Sequence, residues 1–262
     1  MKMRCFVFIA IFLLEIFFST TVLTFEYNLG RYAYAHIFTS DSMASFISMA
    51  NEAEVELMLA ERNYPSNVTL AMDHIDRASQ FIDNAYYLDD DITDDYDFIT
   101  RYNQGINNSN STILGVALAN IVDDILKEYG RALDIQFDLT NMTNMNMTTV
   151  TGNYSSSSIS IMNSEGINNR EEASDEKTSI INVADYQSAQ AMSDQLIQLF
   201  EEKIKMHALT SNSSTGPVSQ LEKQLADLKN MIDNKTSAMD VMVLVHGHLH
   251  PNLQLAYGLK LA

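Results

Sequence analysis

Apolar residues return every three or four positions through most of this 262-residue chain, the spacing of helices that bury one face against each other. From Ser42 to Arg62 the stripe is Met43, Phe46, Ile47, Ala50, Ala53, Leu57 and Ala60, with Glu52, Glu54, Glu56 and Glu61 interleaved. Pro65-Ser66-Asn67 interrupts it, and a second helix is expected from about Val68 to Tyr87, with Ala71, His74, Ala78, Phe81 and Ile82 along one side. A third stripe, Leu114, Leu118, Ile121, Ile125, Tyr129 and Leu133, lies in Ile113 to Ile135. A fourth runs from Val183 to Met206 through Tyr186, Ala189, Met192, Leu196, Leu199 and Ile204. Pro217 suits the first turn of the helix that carries Leu221, Leu225, Leu228 and Ile232. A last helix is expected from about Ala238 to Leu259. The expected fold is all-α, an up-and-down bundle of about six helices.

Residues 138–182 break the pattern. They are rich in Asn, Ser, Thr and Met with hardly any periodicity, and read as a long flexible insertion between the helices of 36–137 and those of 183–262. The start differs again. Met1 to Arg4 is basic and runs into the apolar stretch Cys5 to Thr24, broken only by Glu15, which is the pattern of an export signal. Small residues in Ala33-Tyr34-Ala35 set a cleavage site that makes His36 the first mature residue. Left uncut, the same stretch is long enough to anchor the chain in a bilayer. The expected location is extracytoplasmic, secreted or at the cell surface, with membrane contact only if the signal is retained.

The single cysteine, Cys5, falls within the signal, so the mature chain has neither a disulfide nor a thiolate ligand. Without Lys2, Arg4, Arg31, Glu15 and Glu26, 13 basic residues face 32 acidic ones. That excess repels phosphate backbones, so no nucleic-acid partner is expected. Eight Asn-x-Ser/Thr acceptors, at Asn67, Asn107, Asn110, Asn141, Asn146, Asn153, Asn212 and Asn234, mark a glycoprotein surface. The carboxylates of Asp89, Asp90, Asp91, Asp94, Asp95 and Asp97 lack the glycine and terminal glutamate of a calcium loop, and read as a solvated acidic turn and helix start.

Histidine carries the chemistry that remains. In Val245-His246-Gly247-His248-Leu249-His250-Pro251, a helix sets His246 and His250 four residues apart on one face with Met239, Met242, Leu253 and Tyr257, where two imidazoles can share a metal ion. Pro251 removes a hydrogen bond there and bends the chain. His74 falls on the apolar side of its helix, close to Asp73 and Asp76. If the signal is cut after Ala35, the free amine and imidazole of His36 chelate one cation together. An amine with imidazoles is an all-nitrogen set that suits Cu(II). The expected site is therefore His36, His246 and His250, with His74 as a further candidate, and copper the first metal. The opposing reading leaves these histidines to packing and capping. His207 reads as a surface residue beside a linker.

Four short motifs resemble a known group: Ala35-His36-Ile37-Phe38-Thr39 after the export signal, Asp138-Leu139-Thr140-Asn141-Met142, Ala184-Asp185-Tyr186-Gln187-Ser188-Ala189-Gln190, and His246 to His250-Pro251-Asn252-Leu253. Together they are similar to uncharacterised exported helical proteins of ammonia-oxidising archaea. The resemblance implies a mature chain that opens with histidine and a His-x-x-x-His-Pro element in the last helix, which carries over to His36, His246 and His250 and leaves His248 incidental. It implies no activity.

No Gly-rich phosphate loop, nucleophile elbow or haem-attachment motif is present, so common enzyme classes find no support. The function expected is that of an exported, non-catalytic metal-binding or interaction protein with a protein partner at the cell surface. The alternative is a structural cell-surface or membrane-complex-associated protein without metal; a copper oxidoreductase comes third.

Overall fold

A computed structural model describes residues 41–88, 92, 94–135, 179–208 and 216–259. Among them there are eight α-helical segments and no strand. They are α1 (Ser42–Asn63), α2 (Val68–Tyr86), α3 (Asp95–Asn108), α4 (Ser111–Ala132), α5 (Val183–Leu199), α6 (Pro217–Asp233), α7 (Ala238–Leu244) and α8 (His250–Tyr257). The fold is all-α, as the spacing predicts. The export signal, His36 and the acceptors Asn141, Asn146, Asn153 and Asn212 lie outside the described residues, as do Asp89 to Asp91 of the acidic stretch. So does the expected insertion, apart from residues 179–182, which lead into α5.

Each helix start has a local cause. Asp41 caps α1 by accepting hydrogen bonds from Met43 N and Ala44 N at 2.9 and 3.0 Å. Asn67, Asp94, Asn110, Asn182 and Ser237 do the same for α2, α3, α4, α5 and α7. Such side-chain acceptors take up amide hydrogens that a helix start otherwise leaves bare, for about 1 kcal/mol each. Pro217 stands in the first turn of α6 as expected. Gly258 ends α8 in the left-handed conformation (φ 67°), its N–H donating to Gln254 O at 2.9 Å.

Two helices change pitch. After Leu199 the α5 rod widens into a π turn, Phe200–Ile204, and ends in a 3-10 turn, Lys205–His207. Between α7 and α8 lies a second π turn, Val245–Leu249, in which the His250 N–H reaches Val245 O. Pro251 explains the second one. It has no N–H and its ring crowds the carbonyl one turn back, and a wider turn relieves both. The winding changes just before this proline, and α7, the π turn and α8 follow one another without a break in sequence.

α4 is the centre of the bundle. It packs on α1, α5, α7 and α8, and Leu114, Leu118, Ile121, Val122, Ile125, Leu126 and Tyr129 are all fully buried. Each such side chain contributes about 1.5–3 kcal/mol by leaving water. Gly115 lets α8 approach, since a Cβ there would lie 2.4 Å from Tyr257 Cβ. A smaller core of Phe46, Met49, Ala85 and Ile92 joins α1, α2 and α3, with Phe98 edge-on to Phe46 at 5.3 Å.

The helices α1, α2, α4 and α5 also share a buried polar belt. Arg77 pairs with Glu128 at 2.9 Å and with Asp185, and Arg131 reaches the same two carboxylates. Glu56 accepts from Ser188 Oγ at 2.6 Å and meets His74 Nδ1 at 2.6 Å.

Candidate metal centre

The π turn and the first residue of α8 bring three groups together against the middle of α4. His246 Nδ1 lies 3.2 Å from His250 Nδ1, with the two rings nearly perpendicular. On its other side, His250 Nε2 is 3.0 Å from Asp123 Oδ1. Asp123 and His250 are buried, and His246 is mostly so. Val241, Val245, Leu249 and Leu253, all buried, press the rod into the core on either side and fix where the imidazoles stand.

The proton inventory of this trio is restrictive. The 3.0 Å contact of His250 Nε2 with Asp123 Oδ1 is an ion-pair contact not aligned as a hydrogen bond; as a carboxylate only accepts, it favours the tautomer with the hydrogen on His250 Nε2. When both rings are neutral, His250 Nδ1 is then a lone pair, and the hydrogen between the rings belongs to His246 Nδ1. What remains is the lone pair of His246 Nε2, a buried atom with no hydrogen-bond partner among the described residues. Burial first, then His250, push the His246 imidazole down to about 4, against the pull of Asp123. It is therefore neutral and able to donate electrons at neutral pH. Burial works to raise the Asp123 carboxyl, but His250 and His246 hold it below the usual carboxylate range.

These distances suit a metal ion once the His246 hydrogen moves from Nδ1 to Nε2, which frees both Nδ1 lone pairs. Two nitrogens bound at about 2.0–2.1 Å to one tetrahedral ion stand about 3.3 Å apart, close to the 3.2 Å between the two Nδ1 atoms. Taking one donor atom each from Asp123, His246 and His250, all three lie within 4.8 Å of one another. Asp123 has two ways to serve. It can bind directly, completing two imidazoles and a carboxylate, or hold the His250 ring through Nε2 while Nδ1 binds, the carboxylate–histidine–metal arrangement that orients a ligand and raises its basicity.

No protein family, curated protein or solved structure matches this chain. The chemistry of the site must be read from its own atoms.

Of the four expected ligands, His246 and His250 are brought together. His74 is not part of the trio: Nδ1 is on Glu56 and Nε2 is 3.1 Å from Gln187 Oε1, so both ring nitrogens are taken within the polar belt. His36 lies outside the described residues. Asp123 is the group that sequence reasoning missed. Its signal was there to be found, because Asp123-Asp124 interrupts Ile121-Val122 and Ile125-Leu126 in a helix otherwise apolar nearly all round. Met239, expected on the histidine face, is half exposed at 51%, since the π turn shifts the residues before it relative to those after it.

Proposed function

We propose that this protein is an exported, non-catalytic metal-binding protein that holds one divalent transition-metal ion at His246 and His250 with Asp123. The observation that carries the reading is the 3.2 Å separation of two imidazole Nδ1 atoms beside a buried carboxylate. Copper is the first candidate, because first-row divalent ions favour it for nitrogen ligands. With a carboxylate in place of a terminal amine, zinc is the closest competitor. Export rests on the basic and apolar start of the chain. It is further supported by the acceptors Asn67, Asn107, Asn110 and Asn234, all exposed at helix ends or turns, where glycans fit without disturbing the core.

Titration of the metal-free full-length protein with Cu(II), then Zn(II), in the presence of a competing chelator tests the reading. One equivalent is expected in the wild type and none in a His246→Ala, His250→Ala double variant that keeps its helical circular dichroism. Asp123→Asn is expected to weaken binding about 10–100-fold. Equal uptake by wild type and double variant would sink the proposal. If neither takes up metal, the alternative stands: a structural surface protein in which Asp123, His250 and His246 form a chain of polar contacts that fastens α8 to α4.

A further inference from the structure

Beside the imidazole centre, where Asp124 directly follows Asp123 on α4, a second group of buried polar atoms is left without protein partners. The Glu52 side chain on α1 is 1% exposed, and neither of its oxygens has a hydrogen-bond donor. It faces the carboxyl of Asp124, whose Oδ1 is held by Lys127 Nζ at 2.7 Å and whose Oδ2 is also buried without a donor. Asn120 stands one turn before Asp124 on the same side of α4. It is 1% exposed, and neither its amide oxygen nor its nitrogen has a partner. Asn51, next to Glu52 on α1, is in the same state. Helical side chains lean toward the N-terminus, so the Asp124 carboxylate leans over the turn that carries Asn120.

Native interiors leave few polar groups unsatisfied, and each exception calls for an ion, a water or a proton. Ionised together, two facing carboxylates and one ammonium leave net negative charge, which burial penalises. A shared proton would relieve the carboxylates but would leave the amide oxygen of Asn120 as it is. A cation serves all of them. We propose that Glu52 and Asp124, with the amide oxygen of Asn120, form a second cation site, made of oxygen donors only, which takes a hard divalent ion such as Mn2+ or Ca2+. Hard ions prefer carboxylate and carbonyl oxygen, whereas the imidazole centre prefers softer ones. The inference does not depend on the imidazole centre binding metal.

Mn2+ is a suitable probe, because the free ion is counted directly by electron paramagnetic resonance. Metal-free full-length wild type is expected to take up Mn2+ and to melt at higher temperature with it. The His246→Ala, His250→Ala variant is expected to behave in the same way. Glu52→Gln, which keeps the shape of the side chain, is expected to lose both the uptake and the melting shift, while its own melting temperature without metal equals or exceeds that of the wild type. Asp124→Asn serves the same purpose if Glu52→Gln does not fold. No uptake by the wild type, uptake unchanged in the carboxyl variants, or uptake lost in the histidine variant each overturns the proposal. The last of these would assign the ion to the imidazole centre.

Discussion

At the scale of single residues, burial governs the chemistry of this protein. His246 illustrates the sign. Its pKa is about 4 in the folded protein, against about 6.5 for a free imidazole. Between these values the unfolded chain binds a proton that the folded one does not, so stability is complete above about pH 6.5 and declines as pH falls toward 4. The loss can reach about 3 kcal/mol. Urea unfolding of the metal-free protein at about pH 7 and about pH 4.5 should reveal it, and His246→Gln should reduce the difference. The residues that matter were only partly legible in the sequence. His246 and His250 share a face at any helical spacing, and the inward position of His74 followed from its stripe. Their partners did not follow. Glu56, Gln187 and Asp123 come from other helices, and a periodicity states that a residue faces inward without stating what it meets there.

At the scale of elements, boundaries were the most legible feature, because caps and prolines are written locally. The helices expected at 42–62 and 68–87 differ from α1 and α2 by a residue at most, and Pro217 opens α6 as expected. α3 was not foreseen as a separate helix. Its stripe of Phe98, Ile99, Tyr102 and Ile106 is short and begins inside the acidic stretch, where net charge dominates the reading. The π turns were not foreseen either, since a turn of that pitch depends on the carbonyls that a proline disturbs and on the packing of the next helix. The contact between α4 and α8 offers a test of how tightly the centre is held. In Gly115→Ala the new Cβ would meet Tyr257 Cβ and Cγ at 2.4 and 2.8 Å and Leu259 Cδ2 at 2.9 Å. The helix gains about 1 kcal/mol from losing a glycine. Overpacking costs about 1–3 kcal/mol, and two backbone-proximal clashes put this site at the upper end. A net loss of about 2 kcal/mol is expected by chemical denaturation. Because His250 begins the displaced helix, weaker metal uptake in the same variant is expected too.

At the scale of the whole molecule, α4 belongs to the first half of the described chain and most of its neighbours to the second, so neither half is a unit by itself. The two sides of the segment 136–178 are joined directly: the N–H groups of Ile181 and Asn182 donate to Ala132 O at 2.8 and 3.2 Å. The chain therefore departs from the end of α4 and returns to the same point. Replacing 136–178 by a linker of about six residues should leave the melting profile cooperative and add about 1–2 kcal/mol, as a shorter loop costs less entropy to close. Thermal unfolding and metal uptake of the shortened protein check this. For the lineage that carries this protein, the same geometry lets the length of that segment drift in small steps, since each doubling costs only about 0.6 kcal/mol. Residues can be gained or lost there, and acceptor sites can come and go, while the bundle on which they are mounted is constrained at almost every turn. Sequence drift is expected to concentrate in that one stretch.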